Sequence, residues 1–392
     1  MVPNGWDRKP IKELCESIID CVNKTAKHVE HETPYKMIRT TNVRNGRVDV
    51  HNVRYVEEDT YKQWIRRGAP KDGDIIFTRE APVGEAGILE NAQGIFLGQR
   101  TMMYRSHSEK SDNRFLFYSL MSGYCQKQIE DFSNGGTVAH MRVPDCGELI
   151  INTPPLPEQR KIAQILSTWD RGIATTEKLI DASKQQKKSL MQQLLTGKKR
   201  LVDPETGKAF EGEWENTHLS NIASIKKGKA LSAKNLVAGS YPVIAGGKSS
   251  PYSHVDFNNE NVITVSASGA YAGYVSYHPY KIWASDCSVV TAKPANYLGF
   301  IFQWLQLNQI RIYSMQSGGA QPHIYPKDLE VMKLRVPKIE EQQKIASVLT
   351  AADKEIELLE AKLVHFKQEK KALMQQLLTG KRRVRVAETE AA

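Results

Sequence analysis

Cysteine is scarce, and its spacing is unhelpful to a metal. The five cysteines are Cys15, Cys21, Cys125, Cys146 and Cys287, and no two form a C-x-x-C pair. That excludes the common structural zinc patterns and makes a disulfide framework unexpected, so a reduced, cytoplasmic protein is the expectation. Long apolar runs are also missing. Nothing approaches 18 consecutive apolar residues, and residues 1–7 (MVPNGWD) contain no apolar core of leader-peptide length, so neither a membrane span nor a secretory leader is expected.

The usual marks of catalysis are absent as well. There is no G-x-x-x-x-G-K-[ST] phosphate loop and no G-x-S-x-G elbow, and the histidines lack metal-ligand spacing. Ser266-Ala267-Ser268-Gly269 reads as a turn, and Gly269 and Gly273 lack a dinucleotide-binding context. Asn152-Thr153-Pro154-Pro155-Leu156 has a superficial likeness to an amino-methyltransferase motif. Thr153 interrupts it and Leu156 replaces the aromatic, so an extended linker is the better reading. Asp353 with Glu360-Ala361-Lys362 has nuclease-like spacing, but it falls in a heptad segment where solvated charges account for it. No catalytic residue, metal site or cofactor is therefore expected in this chain.

What the chain does contain is itself, twice. Residues 154–201 align with 337–384 at a constant offset of 183, without gaps, and 24 of 48 positions are identical. Leu190-Met191-Gln192-Gln193-Leu194-Leu195-Thr196-Gly197-Lys198 recurs as residues 373–381, and Glu158-Gln159 recurs as Glu341-Gln342. Upstream the match is fainter. His140 falls on His323, Ala86-Gly87 pairs with Ala272-Gly273, Tyr35 with Tyr241, and Trp6 with Trp214. The first unit is 25 residues longer, with most of the excess between Tyr35 and Gly87. A repeat of this size marks two copies of one structural unit.

The well-matched parts carry heptads. Ile345, Leu349, Ala352, Ile356, Leu359, Leu363, Phe366, Leu373 and Leu377 step alternately by four and three, with Lys370 as the polar seam position. Ile162, Leu166, Trp169, Ile173, Ile180, Leu190 and Leu194 follow the same rule. Each helix is expected to begin after a proline (Pro157, Pro337) and to stop at Gly197 or Gly380. About 38 residues at about 1.5 Å each give a rod of about 57 Å. The two rods are expected to pack antiparallel, with one globular part at each end. In the globular parts, residues 74–78 and 261–265 read as strands, and Phe115–Ile129 and Leu298–Tyr313 as helices. The expected class is α+β: two mixed globular domains with barrel-like sheets, separated by two long helices in an antiparallel coiled coil, with a pseudo-two-fold internal repeat. The expected boundaries are 1–153, 154–201, 202–336 and 337–392.

The net charge is +10, of which residues 1–153 contribute 0, 154–201 contribute +6, 202–336 contribute +2 and 337–392 contribute +2. The globular parts are thus not basic as wholes, but they contain basic clusters. Tyr35–Val48 holds Lys36, Arg39, Arg44 and Arg47 with no acid, interleaved with Thr40, Thr41, Asn42 and Asn45. Asn216–Val255 holds Lys226, Lys227, Lys229, Lys234 and Lys248, again with no acid. Such residues suit phosphate and base-edge contacts, although without the repeat a solvated basic face would be the better reading.

The order Gly135-Gly136-Thr137-x-x-His140 … Pro154-Pro155-Leu156-x-Glu158-Gln159-x-Lys161-Ile162, repeated as Gly318-Gly319-Ala320-Gln321-Pro322-His323-Ile324 … Val336-Pro337 … Glu341-Gln342-x-Lys344-Ile345, resembles the specificity subunits of Type I restriction–modification systems. Gly5-Trp6 and Glu213-Trp214 resemble the start of each family unit; Gly212 lies one residue early in the second, and Val138-Ala139 stands where Gln321-Pro322 is more typical. The resemblance spans essentially the whole chain. It implies two target-recognition domains, each reading half of a split double-stranded DNA site, with the helices setting the spacer. It also implies docking of two methyltransferase subunits, which hold S-adenosylmethionine and modify adenine, joined by restriction–translocase subunits. On this basis the candidate DNA contacts are Lys36, Arg39, Thr40, Asn42, Arg44, Arg47, Arg79 and His140 in the first domain. In the second they are Lys248, Ser266, Ser268, Tyr271, Gln321, His323 and Tyr325. His140 and His323 could equally pack loops, and Tyr271 could equally be core. Two other readings cover part of the pattern. A self-contained modification enzyme needs a cofactor motif that is not there, and a coiled-coil tether for protein or glycan binders explains the repeat but not the junction motifs.

Overall fold

Two helices of equal length dominate the chain, Leu156–Leu194 and Ile339–Leu377, each of 39 residues. They belong to a computed structural model that describes residues 2–133, 139–247, 250–318 and 321–386. Pro337 precedes its helix as expected, whereas Pro157 sits inside the first turn of the other, where a missing N–H costs nothing. Both helices end at the expected glycines, in left-handed conformation: Gly197 at φ 72° and Gly380 at φ 71°. Glycine is also needed for space. A Cβ at Gly197 would press on the Trp214 ring at 3.3 Å, and one at Gly380 would overlap Pro3 beside Trp6.

Just past each glycine lies an arginine, and it closes the same three-part clamp in both copies. Arg383 makes a bidentate pair with Glu158, at 2.7 Å through both Nε and Nη2, and the Trp6 indole N–H donates to the same carboxylate at 3.1 Å. Arg200 pairs with Glu341 at 2.6 and 2.7 Å, and Trp214 donates to it at 3.2 Å. Both carboxylates are buried, at 4% and 2% exposure, and these donors replace the water each has lost. The neighbouring glutamines are also used. Gln159 accepts from the Asp112 N–H at 3.0 Å, and Gln342 accepts from the Tyr297 N–H at 2.9 Å.

The chain forms two compact units, residues 1–176 with 362–392, and residues 177–361. They cut across the sequence-based boundaries, because each takes one globular part together with portions of both helices. Within each unit the helix segments run antiparallel. In the first, Glu158 meets Arg383, Asp170 meets Lys370 at 2.6 Å, and the Trp169 and Phe366 rings meet edge-on at 5.5 Å. In the second, Lys187 meets Asp353 at 2.5 Å and Arg200 meets Glu341. The seam lysine Lys370 and its counterpart Lys187 are thus neutralised across the helix pair. Asp353 is not the solvated charge that the heptads suggested, since it also accepts from Gln303 at 2.9 Å, just as Asp170 accepts from the Tyr118 hydroxyl at 2.6 Å.

The two globular parts share a plan. In the first unit, Asp7–Pro10 pairs with Ile150–Thr153. A main sheet runs Cys15–Asp20, Thr101–Ser106, Ile75–Arg79, Val83–Ile88, Gly46–Val48, Val43–Arg44, and a small sheet runs Arg54–Tyr55, Lys36–Ile38, Ile95–Leu97. In the second, Glu215–His218 pairs with Lys333–Val336. Its main sheet runs Ala223–Lys227, Cys287–Ala292, Val262–Ser266, Val275–His278, and its small sheet Ser253–His254, Tyr241–Ile244, Trp283–Ala284. The excess expected after Tyr35 is the hairpin Val43–Val48, which extends the first main sheet, and the helix Glu58–Trp64. Each core combines sheet residues with helix residues from the same unit, such as Phe77, Tyr104, Ile162 and Leu377, or Val265, Phe300, Leu194 and Ile345.

Two local expectations need correction. Each expected single helix is two: Asn113–Leu120 and Gly123–Ser133, then Leu298–Leu307 and Gln309–Ser314. Side chains restart the chain at the breaks, Ser122 by accepting from the Cys125 N–H and Asn308 by donating to the Trp304 carbonyl. The pairing of Ala86-Gly87 with Ala272-Gly273 is also out of register. Gly87 lies opposite Ile76 in the ladder, where the second unit places Ser276 opposite Thr264. The true counterpart of Gly273 is Gly84. Both have φ 89°, and their carbonyls accept from Gln309 at 2.8 Å and Gln126 at 3.0 Å.

Removing either clamp carboxylate leaves a buried tryptophan N–H without its acceptor and a partly exposed arginine without its partner. Glu158→Ala and Glu341→Ala are each expected to lower stability by about 2 kcal/mol, read as a shifted urea midpoint. An unchanged midpoint would show that the clamp contributes nothing to holding the helix ends.

Candidate nucleic-acid interface

In the second unit, three chain segments meet where the strand Val262–Ser266 ends. The Ala267 N–H donates to the Asp286 carbonyl at 3.1 Å, and the Ile324 N–H donates to the Ala267 carbonyl at 3.0 Å. Ser317 and His323 exchange backbone bonds of 2.9 and 2.8 Å, and the Gly269 N–H donates to the Pro322 carbonyl at 3.1 Å. This frame gathers six sequence candidates. Ser266 is buried and its hydroxyl accepts from the Gly247 N–H at 3.2 Å, so it holds a loop. Ser268 donates its hydroxyl to Asp286. Gln321 is exposed beside the partly exposed His323, and Tyr271 is 45% exposed, which places its ring outside the core. His323 stacks on Tyr325 with ring centres 6.2 Å apart, and Lys327 lies over Tyr325 at 5.6 Å. Lys248 lies outside the described residues.

The first unit builds the same junction. The Arg79 N–H donates to the Arg100 carbonyl at 2.9 Å, and the Met141 N–H donates to the Arg79 carbonyl at 2.9 Å. Glu80 and His140 form an antiparallel bridge, as Ser268 and His323 do. Around it, the Glu80 carboxylate meets Arg100 at 3.2 Å and His140 at 3.3 Å. Arg79 is not at the surface. It is 6% exposed, pairs with Asp20 at 3.1 Å and donates to the Met141 carbonyl at 3.2 Å, so its work is structural.

The remaining first-unit candidates occupy one continuous segment. Lys36 is on the small sheet and Arg47 is exposed on the added hairpin. Asn42 is buried, with its side chain accepting from the Arg39 N–H at 3.0 Å and donating to the Asn52 carbonyl at 2.8 Å. Arg44 donates to the carbonyls of Thr40 and Val43 at 2.7 and 2.9 Å. Asn42 and Arg44 therefore shape the segment. Arg39 is partly buried, its Nε has no partner among the described residues, and burial together with the nearby Arg54 cation lowers its pKa.

Sequence reasoning missed Glu80, Arg100 and Asp286. Glu80 directly follows its strand and Ser268 stands two residues past the equivalent one, and Arg100 and Asp286 directly precede equivalent strands. The signal was present in those positions, but the offset changes between the two strands and hides it.

Ser268, His323 and Asp286 have the residue types of a hydrolase triad, but the serine hydroxyl donates straight to the aspartate and the histidine packs on Tyr325, so no base is poised on the nucleophile. Cys15, Cys125, Cys146 and Cys287 are free thiols pushed up to about 12 by burial, which makes them poor nucleophiles. Burial likewise pushes His278 down to about 4, so it is neutral at physiological pH. Among the described residues no cluster of His, Cys, Asp and Glu could hold a metal, and no helix is long and apolar enough to cross a membrane.

Residues 3–184 and 211–367 match the family model described as Type I restriction modification DNA specificity domain. A protein of Methanocaldococcus jannaschii, provisionally named type I restriction enzyme MjaX specificity subunit, is 27% identical over 98% of this chain and 95% of its own length. The type I restriction enzyme MjaVIII specificity subunit of the same organism is 30% identical over 51% of this chain and 48% of its own length. Among solved structures, the Type I restriction–modification S subunit from M. genitalium matches with a TM-score of 0.66 at 20% identity, covering 96% of this chain and 98% of that one.

Arg79→Ala is expected to destabilise the first unit by about 3 kcal/mol, because Asp20 is left charged and largely enclosed. Thermal melting checks this. An unchanged melting temperature combined with weaker DNA binding would make Arg79 a DNA contact instead.

Proposed function

We propose, since the chain belongs to the Type I restriction–modification DNA specificity family, that each of its globular parts reads one half of a split double-stranded DNA site. The chain is a non-catalytic component that recognises DNA and works with other subunits of such a system. The observation that carries the two-half reading is one frame with two fillings. Two backbone bonds and the histidine bridge of the strand-end junction recur in both units, while the side chains beside the constant histidine differ: Glu80 and Arg100 in one unit, Ser268 and Asp286 in the other. A frame kept for folding with the side chains on it changed is what two different targets require. Lys36, Arg39 and Arg47 supply cations for phosphates, which position the protein without reading sequence.

The long helices set the spacer between the half-sites. Each advances about 1.5 Å per residue, and half-site spacing is a geometric property. They also dock two methyltransferase subunits. Support comes from identities that folding does not need: Gln185, Lys188 and Gln192 recur as Gln368, Lys371 and Gln375, all exposed, at spacings of three and four on one helix face. A face repeated without change suits one partner bound twice. S-adenosylmethionine is held by those partners, not by this chain, and adenine is the base they modify. Restriction–translocase subunits join the same assembly, which operates in the cytoplasm.

Adenine-methylation sequencing of cells carrying the modification subunits, with and without this chain, tests the reading. A split motif is expected only when the chain is present, and a motif independent of it would overturn the assignment. Inserting four residues into both helices, between residues 176 and 184 and between 360 and 366, is expected to lengthen the spacer and leave both half-sites unchanged. An altered half-site would refute the ruler.

A further inference from the structure

The strand-end junction allows a comparison that the sequence does not. Three positions are equivalent in the two units by backbone bonds alone. Glu80 and Ser268 each face the histidine of the bridge, His140 or His323. Arg100 and Asp286 each give their carbonyl to the residue that ends the preceding strand segment, Arg79 or Ala267. In both units the side chains at the first two positions also touch: Glu80 meets Arg100 at 3.2 Å, and Ser268 donates to Asp286. The histidine is kept while the sign of the neighbouring charge is inverted.

Folding does not demand this inversion, because the backbone bonds are the same with either filling. A shared phosphate contact does not explain it, since a phosphate that favours arginine repels aspartate. Readout of different base edges does explain it. The arginine fork matches O6 and N7 of guanine, and a carboxylate accepts from the 4-amino group of cytosine. Arg100 is suited to the task. Its side chain is 54% exposed, one edge is held by Glu80, and further N–H groups remain to donate. Its backbone has φ 69°, a conformation unusual for a residue with a side chain and concentrated at functional sites.

We propose that these positions are the paired base readers of the chain: Arg100, braced by Glu80, recognises a guanine in one half-site, and Asp286, braced by Ser268, recognises a cytosine amino group in the other. His140 and His323 are the constant third members, bridging the loop that closes each reader. The inference rests on the chain being a specificity subunit and names the groups that carry the specificity.

The test uses the full chain with its modification subunits and reads the methylated motif. Arg100→Lys keeps the charge and loses the fork. It is expected to relax one guanine position of a single half-site by about tenfold or more, with the other half-site unchanged. Asp286→Asn exchanges a pure acceptor for a group that pairs with adenine, and is expected to shift one cytosine position of the other half-site toward adenine. An unchanged motif in both variants, with methylation retained, overturns the proposal. So does a uniform fall in methylation at an unchanged motif, which is the mark of a phosphate contact, and so does loss of all methylation in Arg100→Lys, which makes the residue structural. Absence of any chain-dependent motif with the unaltered chain overturns the specificity reading itself, so the two failures are distinguishable.

Discussion

A buried carboxylate at the first turn of each long helix is the constraint on which the remaining structure depends. Taken out of water without partners, the polar oxygens of Glu158 or Glu341 would cost the fold several kcal/mol, on the order of the penalty for any unpaired buried polar group. Each is kept by a bidentate arginine and an indole N–H, so that the carboxylate and its two donors bring three stretches of chain together. The clamp therefore fixes where the opposite helix ends, where the next globular part begins and how the two helix segments align. The glycine before each arginine serves the same end. Its left-handed turn brings the arginine round, and its missing Cβ admits the tryptophan side of the clamp.

Once the helix ends are fixed, the globular parts have a common base from which to diverge. The second polar tier of each helix pair shows how much divergence is tolerated. Asp170 and Asp353 both take a lysine from the opposing helix, but the donor from the globular part is a tyrosine hydroxyl in one unit and a glutamine amide in the other. The geometry of the pair is kept and the chemistry of its outer partner is free. The same rule holds at the strand-end junction, where backbone bonds are repeated and side chains are not. A fold that settles its own stability in the helices and the sheet cores can vary the rim without cost to either.

The first unit goes further by adding the hairpin Val43–Val48 to its main sheet. The hairpin's own side chains supply much of its order. Asn42 and Arg44 are spent on nearby backbone groups, and the Glu85 carboxylate takes the Asn45 N–H at 2.8 Å. Basic composition alone therefore overstates how many of these residues face a ligand. Arg47 stays exposed on the hairpin, whereas Arg79, equally basic, is enclosed with Asp20.

The sequence by itself determined the duplication, the two long helices, their glycine stops, the position of the extra segment and the family. These are legible because they depend on local rules: heptad period, capping chemistry and ungapped identity between copies. The strands Ile75–Arg79 and Val262–Ser266 were legible within one residue for the same reason. Only the tertiary structure decided which charges are exposed, which are paired, and which residues of the two copies correspond. The helix breaks at Ser122 and Asn308 depend on single hydrogen bonds that no periodicity announces. Glu80 meets Arg100 in one unit, and Ser268 meets Asp286 in the other, through strand pairing between segments about 20 residues apart, and the offset between the copies changes from one strand to the next. A linear comparison slides past such a correspondence, whereas a ladder of backbone hydrogen bonds cannot, because each bond names its partner.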